Sequence, residues 1–299
     1  VNASTRSAAT APARAPYLDR LAARTAAVGS VLCLGLDPDP GRLPPGFRPD
    51  ARGIAAFAGL LVDVAAPYAA AVKANLAFFE AYGSAGLAAL ERLRGRLPAD
   101  CPFIADAKRG DIGSTAARQA TALFDALGAD AVTLNPYLGR DAIEPFLERD
   151  DGFVYVLCRT SNPSAAEVQD LPLADGPLYV RVARLALGWG VPERLGFVVG
   201  ATAPAELRAI RAVAPDRAFL VPGVGAQGGD VEVVLEAGPA SASPTGGRPG
   251  GGLLVNVSRG IADAARVPLG GGGRVRRSDV EVAVARAAAA WSGKLAVLS

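Results

Sequence analysis

The stretch Phe103-Ile104-Ala105-Asp106-Ala107-Lys108-Arg109-Gly110-Asp111-Ile112-Gly113-Ser114-Thr115 carries an apolar run into a cluster of charges. Asp106 and Lys108 stand two positions apart, and in a β-strand that spacing sends both side chains to one face. Asp111 follows beyond Gly110, where the chain turns toward a helix expected over about Ser114–Leu127. A strand thus delivers an acid and a base to one point, and the next loop brings a second acid. Three crowded charges are costly unless they pair. Such clusters mark functional sites, although a surface salt-bridge network at a strand end has the same composition.

Working outward, the same unit recurs. Apolar runs at Val31–Asp37, Ala71–Asn75, Phe103–Lys108 and Ala131–Asn135 read as strands, as do Phe153–Leu157, Phe197–Gly200, Ala218–Val221 and Leu253–Val257. Helical patterns separate most of them, among them about Tyr17–Val28, Ala51–Ala70, Phe78–Ala81, Gly86–Arg94, Pro204–Ala212 and Val280–Trp291. Eight short strands alternating with helices predict a (β/α)₈ TIM barrel of the α/β class. A doubly wound sheet would place a G-x-G-x-x-G loop after its first strand, and Leu36-Asp37-Pro38-Asp39-Pro40 is not one.

A chain of 299 residues can build one large core. Residues 1–16, rich in Ala, Ser, Thr and Pro, read as a disordered tail, leaving 17–299 as a single barrel domain. Within it, 238–252 is a low-complexity loop expected to pack poorly on the face opposite the active end, and 270–274 a Gly-rich loop. Net charge is +2 and no basic stripe interleaved with aromatics occurs, so nucleic acid is not an expected partner. No run reads as a membrane span or signal peptide, which makes the cytoplasm the expected compartment. Histidine is absent, which removes His-based triads and zinc sites. Cys33, Cys101 and Cys158 are isolated and read as small core hydrophobes in a reducing compartment.

The chemistry must therefore come from Lys, Asp, Arg and backbone groups, or from a metal held by carboxylates alone. In a barrel, Asp37, Lys73, Asp106 and Lys108 converge on the C-terminal mouth with Asp111 just beyond, and their titrations couple. Acids around Lys108 keep it an ammonium, whereas an imine-forming lysine needs a drier, less acidic setting. After strands seven and eight come Val221–Asp230, glycine-rich, and Ser258-Arg259-Gly260. Loops at those positions commonly bind phosphate in this fold, and Arg259 offers a fork matched to phosphoryl oxygens. A helix N-terminus expected beyond Gly260 would add its dipole.

At this point the sequence resembles the orotidine 5′-monophosphate decarboxylase family, in its longer-chain bacterial subgroup. The family pattern Asp-x-Lys-x-x-Asp-Ile-x-x-Thr is met by Asp106, Lys108, Asp111, Ile112 and Thr115, and its phosphate grip by residues 224–230 and 258–260. The resemblance spans roughly 17–291. It implies a homodimeric barrel needing no cofactor and no metal, with a phosphorylated nucleotide as substrate. It gives Lys108 the role of proton donor to C6, and Asp106 a place against the departing carboxylate. Asp37 and Lys73 would meet the ribose hydroxyls. Asp111 and Thr115 would serve the neighbouring subunit's site. Gln227, Arg259 and the Gly260 backbone would hold the 5′-phosphate, and Ser161 would read the pyrimidine. Competing readings on the same barrel are a divalent-metal-dependent sugar-phosphate lyase or decarboxylase, and a catalytically silent binding subunit.

Overall fold

The expected strands form β1 (Leu32–Leu36), β2 (Ala71–Asn75), β3 (Phe103–Arg109), β4 (Ala131–Leu134), β5 (Phe153–Arg159), β6 (Leu195–Val199), β7 (Phe219–Pro222) and β8 (Leu253–Val257). In this computed structural model, which describes residues 14–225, 228–266 and 276–297, every barrel pairing is parallel. The order is β1-β8-β7-β6-β5-β4-β3-β2, and β1 against β8 closes the ring. Closure leaves no sheet edge exposed, and the predicted barrel stands.

Alternation along each strand sorts side chains into two cores. Leu32, Leu34, Val72, Phe103, Val154, Val156, Phe197 and Val255 point outward to the surrounding helices. Cys33, Ala71, Ile104, Ala131, Phe153, Tyr155, Ala218 and Leu254 point inward and fill the lower barrel. Helix α1 (Tyr17–Val28) plugs that end with Tyr17, Leu18 and Leu21. The Tyr17 ring stacks on Phe153 at 4.7 Å, and its hydroxyl lies 3.1 Å from that of Tyr155, which satisfies both buried hydroxyls.

The outer helices are α2 (Ala51–Ala65), α3 (Gly83–Arg96), α4 (Gly113–Ala120), α5 (Leu178–Leu187), α6 (Pro204–Val213), α7 (Val231–Ala237) and α8 (Arg277–Lys294), with single turns between. Helix α2 stops short of its expected end because Pro67 cannot continue an α-helix, and the chain tightens into a 3₁₀ turn, Ala66–Tyr68. The segment Ala51–Tyr68 is long and apolar enough to cross a membrane by length and composition, but 56% of it is buried in the fold. Helix α4 gives way at Thr121, whose hydroxyl bonds back to the Ala117 carbonyl at 3.0 Å, and a wider π-type turn covers Thr121–Ala126.

Residues 238–252 differ from the expected loose loop. Positive φ values at Gly250, Gly251 and Gly252 let the segment fold back tightly, Ala240 and Thr245 are buried, and the Ala240 amide donates to the Gly251 carbonyl at 2.9 Å. Arg248 pairs with Asp19 of α1 at 2.7 Å, so the segment packs beneath the barrel, on the side away from the strand C-termini. Of the expected tail 1–16, residues 14–16 are described and tied down, Arg14 pairing with Asp130. Residues 1–13 and the Gly-rich loop 270–274 lie outside the described residues. The three cysteines are buried free thiols, and burial pushes Cys101 up to about 11, which leaves it protonated and inert.

Candidate active site

Strand β3 builds the centre of the site. Asp106 is nine-tenths buried, and its two oxygens are divided between two lysines. Oδ2 accepts from Lys73 Nζ of β2 at 2.7 Å, and Oδ1 from Lys108 Nζ at 2.6 Å. Burial opposes the Asp106 charge, but the Coulomb pull of Lys73 and then Lys108 outweighs it and holds the carboxyl well below the usual carboxylate range. For Lys73 burial likewise opposes the charge, and Asp106, then Asp37, overcome it and raise the pKa. Both lysines line the cavity, but the Lys73 side chain is 4% exposed and the Lys108 side chain 47%, so Lys108 is the more open of the two ammoniums.

Lys108 does not reach Asp106 by simple strand alternation. Among the described residues it is the one non-glycine with positive φ, at 47°. A left-handed residue costs about 1–2 kcal/mol. The β3–β4 register shifts between Ala105 and Arg109, and Lys108 sits in that irregularity. Thr133 of β4 fills it: its hydroxyl accepts from the Lys108 amide at 3.0 Å and lies 2.9 Å from Asp106 Oδ1.

Above these groups opens a cavity of about 500 Å³, a size suited to a small ligand. One side of its wall is apolar, from Leu157, Val198 and Leu220, and the other side carries the charges. Asp37 lines it, with Oδ1 buried and unpartnered among the described atoms. Asn256 Oδ1 is in the same condition, and a buried polar atom in a cavity wall is an available ligand contact. Gly35 makes room for this corner: a Cβ there would fall 1.8 Å from Ser258 Oγ. Arg259 lines the rim from the single helical turn after β8, and Gly223 and Val224 from the loop after β7. Ser161 lines it from the loop after β5, beside Thr160 and Gln169, which bond to each other.

Asp37, Lys73, Asp106, Lys108, Ser161 and Arg259 therefore share one cavity. Asp111 and Thr115 do not line it; Asp111 lies in the loop before α4 and Thr115 in the first turn of α4, exposed. Gly260 stands behind Arg259, its carbonyl accepting from Trp291 Nε1 at 3.1 Å. The helix expected beyond it begins at Arg259 and lasts one turn, Arg259–Ala262, so its dipole contribution is small. Gln227 lies outside the described residues. Among the described residues no group of three His, Cys, Asp or Glu side chains could hold a metal ion. Sequence reading passed over Thr133 and Asn256. The parity of Lys73 and Asp106 was the available signal: Thr133 and Asn256 share the inward parity of Ala131 and Leu254.

Fold and site together define a (β/α)₈-barrel enzyme whose cavity at the strand C-termini is lined by lysine and aspartate. The sequence pattern of the orotidine 5′-phosphate decarboxylase / HUMPS family matches residues 30–268, and the chain belongs to that family. A curated protein of Roseiflexus castenholzii named orotidine 5′-phosphate decarboxylase is 51% identical over 239 residues, 79% of this chain and 85% of that one. One of the same name from Herpetosiphon aurantiacus is 44% identical over 259 residues, 84% of this chain and 97% of that one. The solved structure of Leishmania donovani OMP decarboxylase matches with a TM-score of 0.75 at 36% identity, covering 93% of this chain and 98% of that chain.

Proposed function

We propose that this chain decarboxylates orotidine 5′-monophosphate to UMP and CO₂, the last step in making UMP, with neither metal nor cofactor. The observation that carries the reading is the Lys73–Asp106–Lys108 chain at the floor of the cavity, two ammoniums on one ionised carboxylate. Breaking the bond from C6 to the carboxylate leaves an electron pair on C6 with no carbonyl placed to accept it. A fixed ammonium stabilises that charge as it forms. The Lys108 ammonium then gives its proton to C6, and the neutral amine regains one from water. Asp106, kept ionised, opposes the substrate carboxylate and favours its departure as neutral CO₂.

In this reading Asp37 and Lys73 meet the ribose hydroxyls, and Ser161 reads the pyrimidine. Arg259, with Gln227 and the Gly260 backbone, takes the 5′-phosphate, whose binding energy supports chemistry at the distant carbon. The enzyme is a cytoplasmic homodimer in which Asp111 and Thr115 of one subunit complete the other's site. Their position outside their own cavity supports this. So does the apolar surface beside them, where Ile112, Tyr137 and Leu138 are 55%, 84% and 50% exposed.

The test is loss of orotidine 5′-monophosphate absorbance with purified protein in EDTA, with the product identified by chromatography. UMP formation is expected; no conversion by folded protein overturns the reading. Site sharing is tested by mixing Asp111→Ala and Lys108→Ala proteins, each inactive alone. Mixed dimers are expected to recover activity through the one site that is intact, and heterodimers without activity would refute donation across the interface.

A further inference from the structure

We infer that Thr133 is a positioning residue for Lys108, its hydroxyl tying the lysine's backbone and its carboxylate partner into one geometry. The kinetic consequence rests on the decarboxylase reading above; the geometry does not.

Strands β3 and β4 stay in register through Ile104 against Ala131 and Ala105 against Val132, then lose it until Arg109 meets Leu134. In that gap the Lys108 amide has no ladder partner on β4. It donates instead to Thr133 Oγ1 at 3.0 Å. Thr133 is 1% exposed, so water does not compete for its hydroxyl. An amide N–H can only donate, which leaves the threonine's single proton for the other neighbour, Asp106 Oδ1 at 2.9 Å. The same Oδ1 accepts from Lys108 Nζ at 2.6 Å.

The result is a closed loop: Lys108 amide to Thr133 hydroxyl to Asp106 carboxylate and back to the Lys108 ammonium. Both ends of the lysine are fixed relative to one oxygen atom. The left-handed φ of 47° at Lys108 is otherwise unfavourable, and the loop offsets it. Valine has the same shape as threonine and cannot take part. Without the hydroxyl the Lys108 amide loses this partner and Asp106 loses its tie to it, so the left-handed backbone at Lys108 is no longer held and the ammonium is placed less tightly against the carboxylate. Thr133 itself moves no proton to or from substrate in this account.

The experiment compares wild type, Thr133→Val and Thr133→Ser for kcat and KM with orotidine 5′-monophosphate, UMP affinity by calorimetry, and hydrogen exchange at the Lys108 amide by mass spectrometry. In Thr133→Val, kcat is expected to fall about 10- to 100-fold, the cost of one hydrogen bond to a charged group. UMP affinity should stay within about twofold and Lys108 exchange should quicken, while Thr133→Ser restores all three toward wild type. Wild-type kcat in Thr133→Val, equal loss in Thr133→Ser, or UMP affinity falling in step with kcat overturns the inference. If wild type itself fails to convert the substrate, the functional reading is what fails. Exchange then decides alone: a Lys108 amide equally protected in wild type and Thr133→Val overturns the strut.

Discussion

One strand is gripped at both ends by an aspartate, and the two ends differ in kind. Asp130, just before β4, accepts from the Phe103 amide at the start of β3 at 2.7 Å. It is closed over by Arg14, by Arg20 at 2.8 Å and by Arg94 at 3.6 Å, and its side chain is fully buried. Asp106, near the other end of β3, is held by lysines, one of them half open to the cavity. Both carboxylates are buried and paired, so pairing and burial do not distinguish a working site from a clamp. The cation does. A guanidinium keeps its proton under all ordinary conditions and binds as a rigid fork, which suits a clamp under the α1 plug. An ammonium is a point charge that can give its proton up, and of the two lysines on Asp106 it is Lys108 that opens widely to the cavity, its side chain 47% exposed against 4% for Lys73.

Replacing the movable proton should break the upper end and leave the lower one intact. Lys108→Ala is expected to lower kcat about 10³-fold or more while UMP still binds and thermal stability holds. Steady-state kinetics with calorimetry reads both, and a kcat within tenfold of wild type would remove Lys108 from the chemistry. Arg259→Ala should cost less, about 10- to 100-fold and mainly in KM, because one charge-assisted contact to phosphate is lost. A KM unchanged in that variant would move the phosphate elsewhere.

The smallest effect is in pH. Asp106 is depressed, so its contribution to stability is fully present above the ordinary carboxylate value of 3.8 and is lost as pH falls below it. Lys73 is raised, so its contribution is fully present below the ordinary value of 10.5 and is lost as pH climbs past it. Denaturation of wild type against Asp106→Asn should therefore show a constant stability gap from about pH 5 to pH 9, narrowing in acid. A gap that changes within that window would mean that the ion chain titrates there.

Much of this is legible in the sequence. The barrel followed from eight apolar runs because strand and helix periods differ, and α1 and β8 fall on their expected limits. The convergence of Asp37, Lys73, Asp106 and Lys108 followed from strand ends sharing one face of a barrel. What was not legible depends on tertiary placement. Period 2 put Lys108 beside Asp106 for an incomplete reason: the pairing needs a left-handed residue and a register shift that only the neighbouring strand reveals. Thr133 is an ordinary strand residue until β4 is laid against β3. The segment 238–252 reads as filler by composition, yet its glycines permit a tight fold-back that packs against α1.

The most direct measurement sets the two aspartates against each other. Asp106→Asn and Asp130→Asn are assayed side by side for UMP formation in EDTA, each below its own melting temperature. The account predicts Asp130→Asn within about threefold of wild type but less stable by about 3–5 kcal/mol, the cost of breaking a buried charged network. It predicts Asp106→Asn lower in kcat by about 10³-fold or more, since the carboxylate that orders both lysines is gone. Comparable activity in the two variants, or a greater loss in Asp130→Asn, would contradict it.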